Sequence, residues 1–271
     1  MSFMKKLVYL SLALSFLFAC NNGTEHPGSG SDTTARRINT VKAISYSIQN
    51  SFVHDTSSFT QGLTFANGEL YEGTGEYGRS KLMKVDLHSG KALKEISLDR
   101  QYFGEGIAIL HDSIFQLTWK ENTVFLYDLR SFKKLKEFPL STEGWGITTD
   151  GKELIISDGS SNLYFYEPST FKLLRTQGVY DNGELAFNLN ELEYIDGFVY
   201  ANQWQYPYIL KIDPSNGKVV AKADMQVIWN RVKAEDPDAD VPNGIAYDST
   251  DKKIYITGKR WPKLFEVQFS N

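Results

Sequence analysis

Phe103-Gly104-Glu105-Gly106-Ile107-Ala108-Ile109 opens a short apolar run, and Trp119 closes the run that follows it. A carboxylate between two glycines stands at the start of an expected strand. The same opening recurs along the chain. Gln61-Gly62-Leu63, Glu105-Gly106-Ile107, Trp145-Gly146-Ile147, Asn190-Glu191-Leu192 and Asn243-Gly244-Ile245 each set a distinctive residue before glycine (glutamate once), then leucine or isoleucine. A second β-rich run comes ten residues after the start of the first four phrases, at Tyr71, Phe115, Ile155 and Tyr200. In the fifth it comes at Tyr255, two residues late. A third run ends in an acid or amide each time, at Asp86, Asp128, Glu167, Asp213 and Gln268. A fourth follows at 92–98, 134–140, 173–179 and 219–225.

Self-similar units of roughly 40 to 50 residues with four strands each indicate a β-propeller. The chain therefore reads as all-β, a five-bladed β-propeller forming a single domain over residues 39–271. The fifth unit stops after three strands, and the alternating run at 40–48 is the natural strand to complete it. Closing the last blade with this N-terminal strand pairs edges that an open array would expose. A β-sandwich is the competing architecture, and it would need the register of five phrases to be coincidence.

The bulk numbers agree. Aromatics make up 14% of the 271 residues, and the net charge of -4 comes with no basic stripe, which argues against nucleic acid as a partner. Lys5 and Lys6 precede an apolar run, 7–19, that is short for a bilayer span. It ends in Leu17-Phe18-Ala19-Cys20 and resembles a bacterial lipoprotein signal, with the sole cysteine as the lipid attachment site. Residues 1–19 are then a signal peptide, and 20–38, rich in Gly, Ser, Thr and Asn, a flexible tether from lipidated Cys20. The expected location is the bacterial cell envelope, lipid-anchored and facing the periplasm or the surface. A plain secretory peptide with an incidental cysteine is the other reading. The expected assembly is a monomer.

The start of each first strand and the end of each second strand lie at one mouth of such a ring. That places Gln61, Glu105, Trp145, Asn190 and Asn243 beside Gly75, Trp119, Gly159, Trp204 and Lys259, with Phe59 and Phe103 on the rim. One carboxylate, one ammonium, three indoles and three amides converge, with two glycines leaving room. Blander uses exist for each. Glu105 and Lys259 could simply pair, the asparagines could cap backbone at turns, and the indoles could plug the channel. No histidine pair or cysteine cluster has metal-ligand spacing, and neither a nucleophile elbow nor a P-loop occurs. No metal or cofactor is expected. Asp236, Asp238 and Asp240 alternate like a fragment of a calcium loop, but Pro237 interrupts them and the loop's glycine and distal glutamate are missing. They belong to the long link 226–242, where Val227-Ile228-Trp229 and Val232 suggest either a short amphipathic lid over the ring or a solvated loop.

From about Phe59 to Phe269 the chain resembles the plant and bacterial type of glutaminyl-peptide cyclotransferase. The likeness is carried by Phe59-Thr60-Gln61-Gly62-Leu63, Phe103-Gly104-Glu105-Gly106, Leu117-Thr118-Trp119, Gly144-Trp145-Gly146, Asn190-Glu191-Leu192-Glu193, Asn202-Gln203-Trp204 and Pro242-Asn243-Gly244-Ile245-Ala246. The resemblance implies a five-bladed propeller that works without catalytic zinc and converts N-terminal glutaminyl residues of peptides or proteins to pyroglutamyl, releasing ammonia. It implies Glu105 as acid/base. On the chemistry of that reaction, Lys259 would stabilise the oxyanion, with Trp119 or Asn190 as neutral donors. Gln61 and Asn190 would hold the substrate, and Phe59, Phe103, Trp119, Trp145 and Trp204 would wall out water. Burial would raise the pKa of Glu105 and Lys259 would lower it; the sequence leaves the balance open. A propeller that only binds a peptide terminus or a sugar is the alternative, and a metal-dependent lactonase-like propeller would need more acids than the ring has.

Overall fold

Short alternating strands joined by tight turns dominate the chain, and Asn67-Gly68 and Asp196-Gly197 show why. Both residues of each pair have positive φ, 54° and 81° in the first and 47° and 90° in the second. That is the backbone of a type I′ turn, whose twist matches the strands it joins. The computed structural model describes residues 41–270, so the expected signal peptide, Cys20 and the tether at 20–38 lie outside the described residues.

Among the described residues the fold is all-β with a single helix. Three four-stranded antiparallel meanders run Thr60–Ala66, Glu69–Thr74, Lys81–Val85, Ala92–Ser97; then Gly104–Leu110, Ser113–Thr118, Thr123–Asp128, Lys134–Pro139; then Ile147–Thr149, Leu154–Ile156, Asn162–Glu167, Lys172–Gly178. An eight-stranded sheet holds the rest. Its first half is Leu189–Ile195, Phe198–Gln203, Tyr208–Ile212 and Val219–Asp224, and its second is Lys42–Val53, Lys263–Ser270, Lys253–Gly258 and Pro242–Asp248. The N-terminal strand runs antiparallel to the last strand, with Ser45 opposite Ser270 and Val53 opposite Lys263. It is longer than the run read at 40–48. Its first residues, Lys42 to Ile44, also pair in parallel with Ala221 to Ala223, which fuses the two halves into one sheet. A two-stranded hairpin, Tyr180–Asp181 with Glu184–Leu185, was not legible in the repeat.

The first strands of these groups pack side by side. Thr60–Ala66 touches Gly104–Leu110, which touches Ile147–Thr149, then Leu189–Ile195, then Pro242–Asp248, which returns to Thr60–Ala66. The glycine of each phrase makes this approach feasible. A Cβ on Gly62 would lie 2.4 Å from the Ile107 nitrogen, and one on Gly106 2.8 Å from the Trp145 oxygen. On Gly146 it would lie 2.0 Å from the Asn190 oxygen. Where glutamate replaces glycine, the side chain crosses the centre: the Glu191 carboxylate accepts the Leu63 N–H (3.2 Å) and the Ile245 N–H (2.9 Å). Each pair of neighbouring sheets encloses its own apolar cluster. One is Phe115, Leu117 and Ala108 against Ile147, Leu154 and Ile156; another is Leu63, Leu70 and Met83 against Ala246, Tyr255 and Leu264.

The link at 226–242 is not a solvated loop throughout. It forms the helix Gln226–Glu235, with Ile228 and Val232 fully buried in a cluster with Ile245, Trp261 and Phe265. The helix is a core element, because its apolar residues sit at i and i+4 on one face. The three aspartates that follow are dispersed. Asp236 accepts the Asp238 N–H at 3.0 Å, and Asp236 and Asp238 line a polar recess beside Arg79 and Arg260, while Asp240 lines a different cavity.

Candidate active site

That second cavity, of about 310 Å³, opens at the end of the sheets where the phrases begin. It is lined by Phe59, Gln61, Phe103, Glu105, Trp119, Trp145, Asn190, Trp204, Asp240 and Lys259. The nine residues given a role in the site all line it, while Asn243, Gly75 and Gly159, placed at the same mouth by the repeat register, do not. Irregular pairing aims them. Glu105 and Gly106 together face Leu117 alone, Asn190 and Glu191 face Asn202, and Gln61 is an extra residue between the pairs Thr60–Thr74 and Gly62–Gly73. Such bulges turn a side chain out of the strand's alternation, and they are common beside active sites.

Gln61, Glu105, Asn190 and Lys259 are buried polar groups. The Gln61 amide nitrogen donates to Glu105 Oε1 at 3.3 Å, and its oxygen accepts from Asn243 Nδ2 at 3.2 Å. Asn243 also donates to the Thr60 carbonyl at 3.0 Å. Asn243 thus stands behind Gln61 and fixes which end of its amide meets the carboxylate. Burial holds the Glu105 carboxyl well above the usual carboxylate range; Lys259 pulls it back, while Glu121 and Glu143 push it further up. The balance left open by the sequence falls on the side of desolvation.

Lys259 shows the complementary shift. Burial lowers its pKa, against the opposing charges of Glu105 and Asp240. Its ammonium sits 4.7 Å from the centre of the Phe59 ring, and no carboxylate among the described residues is within ion-pair distance of it. Glu105 and Lys259 are not consumed in a direct salt bridge. Asn190 Oδ1 is buried without a partner among the described residues.

The aromatic wall is braced ring against ring. Phe103 meets Phe59 edge-on at 6.2 Å and Trp119 at 5.5 Å, and Trp145 meets Trp204 edge-on at 5.4 Å. The two glycines of the second row leave room for these rings and not for a ligand: a Cβ on Gly75 would lie 2.3 Å from the Phe103 ring, and one on Gly159 2.6 Å from Trp145. The expectation that Trp119 offers its N–H to the site also fails. Trp119 Nε1 donates to Glu143 Oε2 at 2.8 Å, and Trp145 Nε1 donates to the same oxygen at 3.1 Å. Behind the floor, His54 Nδ1–H donates to the Trp261 carbonyl (2.7 Å) and Nε2 lies 3.1 Å from Glu72, which also accepts Thr60 Oγ1–H (2.7 Å). This buried network ties the loop carrying Phe59 to the turn carrying Lys259.

Asp240, Glu121 and Glu143 were missed as neighbours of the site. Glu143 stands two residues before Trp145, as Phe59 and Phe103 stand before Gln61 and Glu105, so the register held the signal. Asp240 has no counterpart in the repeat; it arrives because its N–H pairs with the Lys259 carbonyl at 2.8 Å.

Fold and site together define an all-β protein with an aromatic-walled cavity at one end, which holds one buried carboxyl with raised affinity for protons and one buried ammonium with lowered affinity. A model of the glutamine cyclotransferase family matches residues 20–269, and the chain belongs to that family. It is 40% identical over 265 residues to a glutaminyl-peptide cyclotransferase of Arabidopsis thaliana, covering 97% of this chain and 81% of that one. The crystal structure of Myxococcus xanthus glutaminyl cyclase superposes with a TM-score of 0.80 at 34% identity, over 85% of this chain and 98% of that one.

Proposed function

We propose that the protein is a glutaminyl-peptide cyclotransferase, converting an N-terminal glutaminyl residue to pyroglutamyl with release of ammonia. The single observation that carries this reading is the Glu105 carboxyl, buried in an aromatic-walled cavity that also holds the Lys259 ammonium without a direct ion pair between them. The neutral α-amine attacks the carbonyl carbon of the residue's own side-chain amide. Nucleophile and electrophile share one residue, so the site has mainly to hold the folded-back conformer. Glu105 takes a proton from the attacking nitrogen and returns it to the departing NH2, giving ammonia while the carbon–nitrogen bond breaks. A carboxyl whose affinity for protons is raised by burial can both take and return that proton. Lys259 faces the oxyanion. Asn190 Oδ1 accepts a substrate N–H, and Gln61 keeps Glu105 oriented. Phe59, Phe103, Trp119, Trp145 and Trp204 form the walls.

The same reading takes the sheets as five blades of a propeller, the last closed by the N-terminal strand, as the chain of contacts among first strands supports. It takes Cys20 as a lipid anchor in the cell envelope, a proposal that rests on the sequence 5–20 alone. Incubating the purified domain with a Gln-initiated dipeptide and assaying ammonia tests the activity. Release of ammonia and a pyroglutamyl product is expected; silence on such substrates would leave the propeller as a binder only.

A further inference from the structure

We propose that Glu143 is a positioning residue for this reaction: one carboxylate oxygen outside the cavity fixes the planes of two indoles that wall it. The proposal rests on the cyclotransferase reading for its kinetic test, and on geometry for its substance. Glu143 Oε2 accepts both Trp119 Nε1–H (2.8 Å) and Trp145 Nε1–H (3.1 Å), while Glu143 itself is no part of the cavity lining. The two indoles come from different sheets, and Glu143 is where they meet.

The backbone repeats the connection. Gly144 N–H donates to the Trp119 carbonyl at 3.0 Å, and a Cβ on Gly144 would lie 2.5 Å from the Thr118 oxygen. Segment 143–145 is therefore pressed against the end of strand Ser113–Thr118, and it touches Trp119 through backbone and side chain at once. Trp145 is backed by Gly159 and meets Trp204 edge-on, so its orientation sets that of the third indole. A charged acceptor shared by two ring N–H groups is a strong anchor. Removing it leaves two part-buried indole N–H donors without their protein acceptor and frees both rings to turn. A slot that must hold one folded conformer is sensitive to displacements of its walls on the order of 1 Å.

The charge of Glu143 has a second consequence. The groups facing Glu105 are Gln61, Lys259, Glu121 and Glu143. Lys259 favours the Glu105 carboxylate, and Glu121 and Glu143 oppose it. Glu143→Gln keeps an oxygen that accepts both indoles but drops the charge; Glu143→Ala drops both.

The test compares kcat and KM on a Gln-initiated peptide, and follows indole emission of the ligand-free protein against pH. Glu143→Ala is expected to raise KM roughly tenfold with a smaller change in kcat, and to alter the emission at every pH. Glu143→Gln should keep KM within about twofold while the emission titration of the Glu105 carboxyl moves to lower pH, because a charge that opposes its ionisation is gone. Glu143→Ala with wild-type KM, or Glu143→Gln as impaired as Glu143→Ala, overturns the proposal. Should wild type release no ammonia, the functional reading fails but Glu143 is still decided. Emission altered at every pH in Glu143→Ala, and differing from wild type in Glu143→Gln only across the Glu105 titration, supports it; wild-type emission in Glu143→Ala, or emission altered at every pH in Glu143→Gln, removes it.

Discussion

Glu105 is almost wholly buried and has a hydrogen-bond donor in Gln61. Burial dominates its pKa, so it holds a proton at a pH where an exposed glutamate would not. Glu105→Gln keeps the volume and removes the proton transfer, and kcat should fall by roughly 10²–10⁴-fold with an unchanged circular dichroism spectrum. Lys259 supplies the opposite limb. The carboxylate of Glu105 and the neutral amine both appear as pH rises, so kcat/KM should climb from acid towards mildly alkaline pH. The Lys259 ammonium, with its pKa below the usual 10.5, is lost above that range, and kcat/KM should fall again. Lys259→Met should lower kcat by about 10²–10³-fold and remove the alkaline fall from a profile measured between pH 5 and 10; a profile flat from pH 5 to 8.5 in wild type would count against the acid–base scheme.

At the scale of elements, the close approach of neighbouring first strands carries the site. Gly146 is the tightest case, since an added Cβ would meet the Asn190 oxygen and carbon and the Glu191 Cα, all backbone. Gly146→Ala should therefore destabilise by about 1–3 kcal/mol and raise KM, because it displaces Asn190 and Trp145 together. Gly151, with φ of +87° and no neighbour within 4 Å, is the control: its alanine variant bears only backbone strain, on the order of 1 kcal/mol, and should keep KM. Urea midpoints and steady-state kinetics on the two variants check both statements. Register was what the sequence made legible. Alternation along strands and a fixed ten-residue offset place Gln61, Glu105, Trp119, Trp145, Asn190 and Trp204 at one end, and folding obeyed that arithmetic. Residues outside the repeat were not legible. Asp240 enters through a loop pairing, and the helix Gln226–Glu235 lies in a link whose few apolar residues read equally as loop or lid. What fills the room beside Gly75 and Gly159, the rings of Phe103 and Trp145, is a packing fact with no local signal.

For the whole molecule, the buried centre sets the response to pH. Glu191 and Glu193 lie fully buried among backbone N–H groups of other strands. Burial outweighs those hydrogen bonds, raising Glu191 well above the ordinary range and Glu193 from 4.5 to about 8. A carboxyl whose folded pKa lies above its unfolded value binds more protons when folded, so stability falls as pH rises between the two. For His54, burial lowers the pKa but the Glu72 carboxylate and the Trp261 carbonyl outweigh it, which adds a fall of the same sign above its usual 6.5. The melting temperature should drop by several degrees from pH 5 to pH 8, on the order of a few kcal/mol. Glu193→Gln should flatten that slope, and calorimetry across the range would measure it. The pairing of Lys42–Val53 with Lys263–Ser270 has a consequence for how the protein is made. Ser45 leaves the ribosome early, and the Ser270 it must face comes 225 positions later. Covering the edge of Lys42–Val53 therefore joins segments far apart in the chain, and a variant lacking Lys263–Ser270 would leave that edge open in every copy.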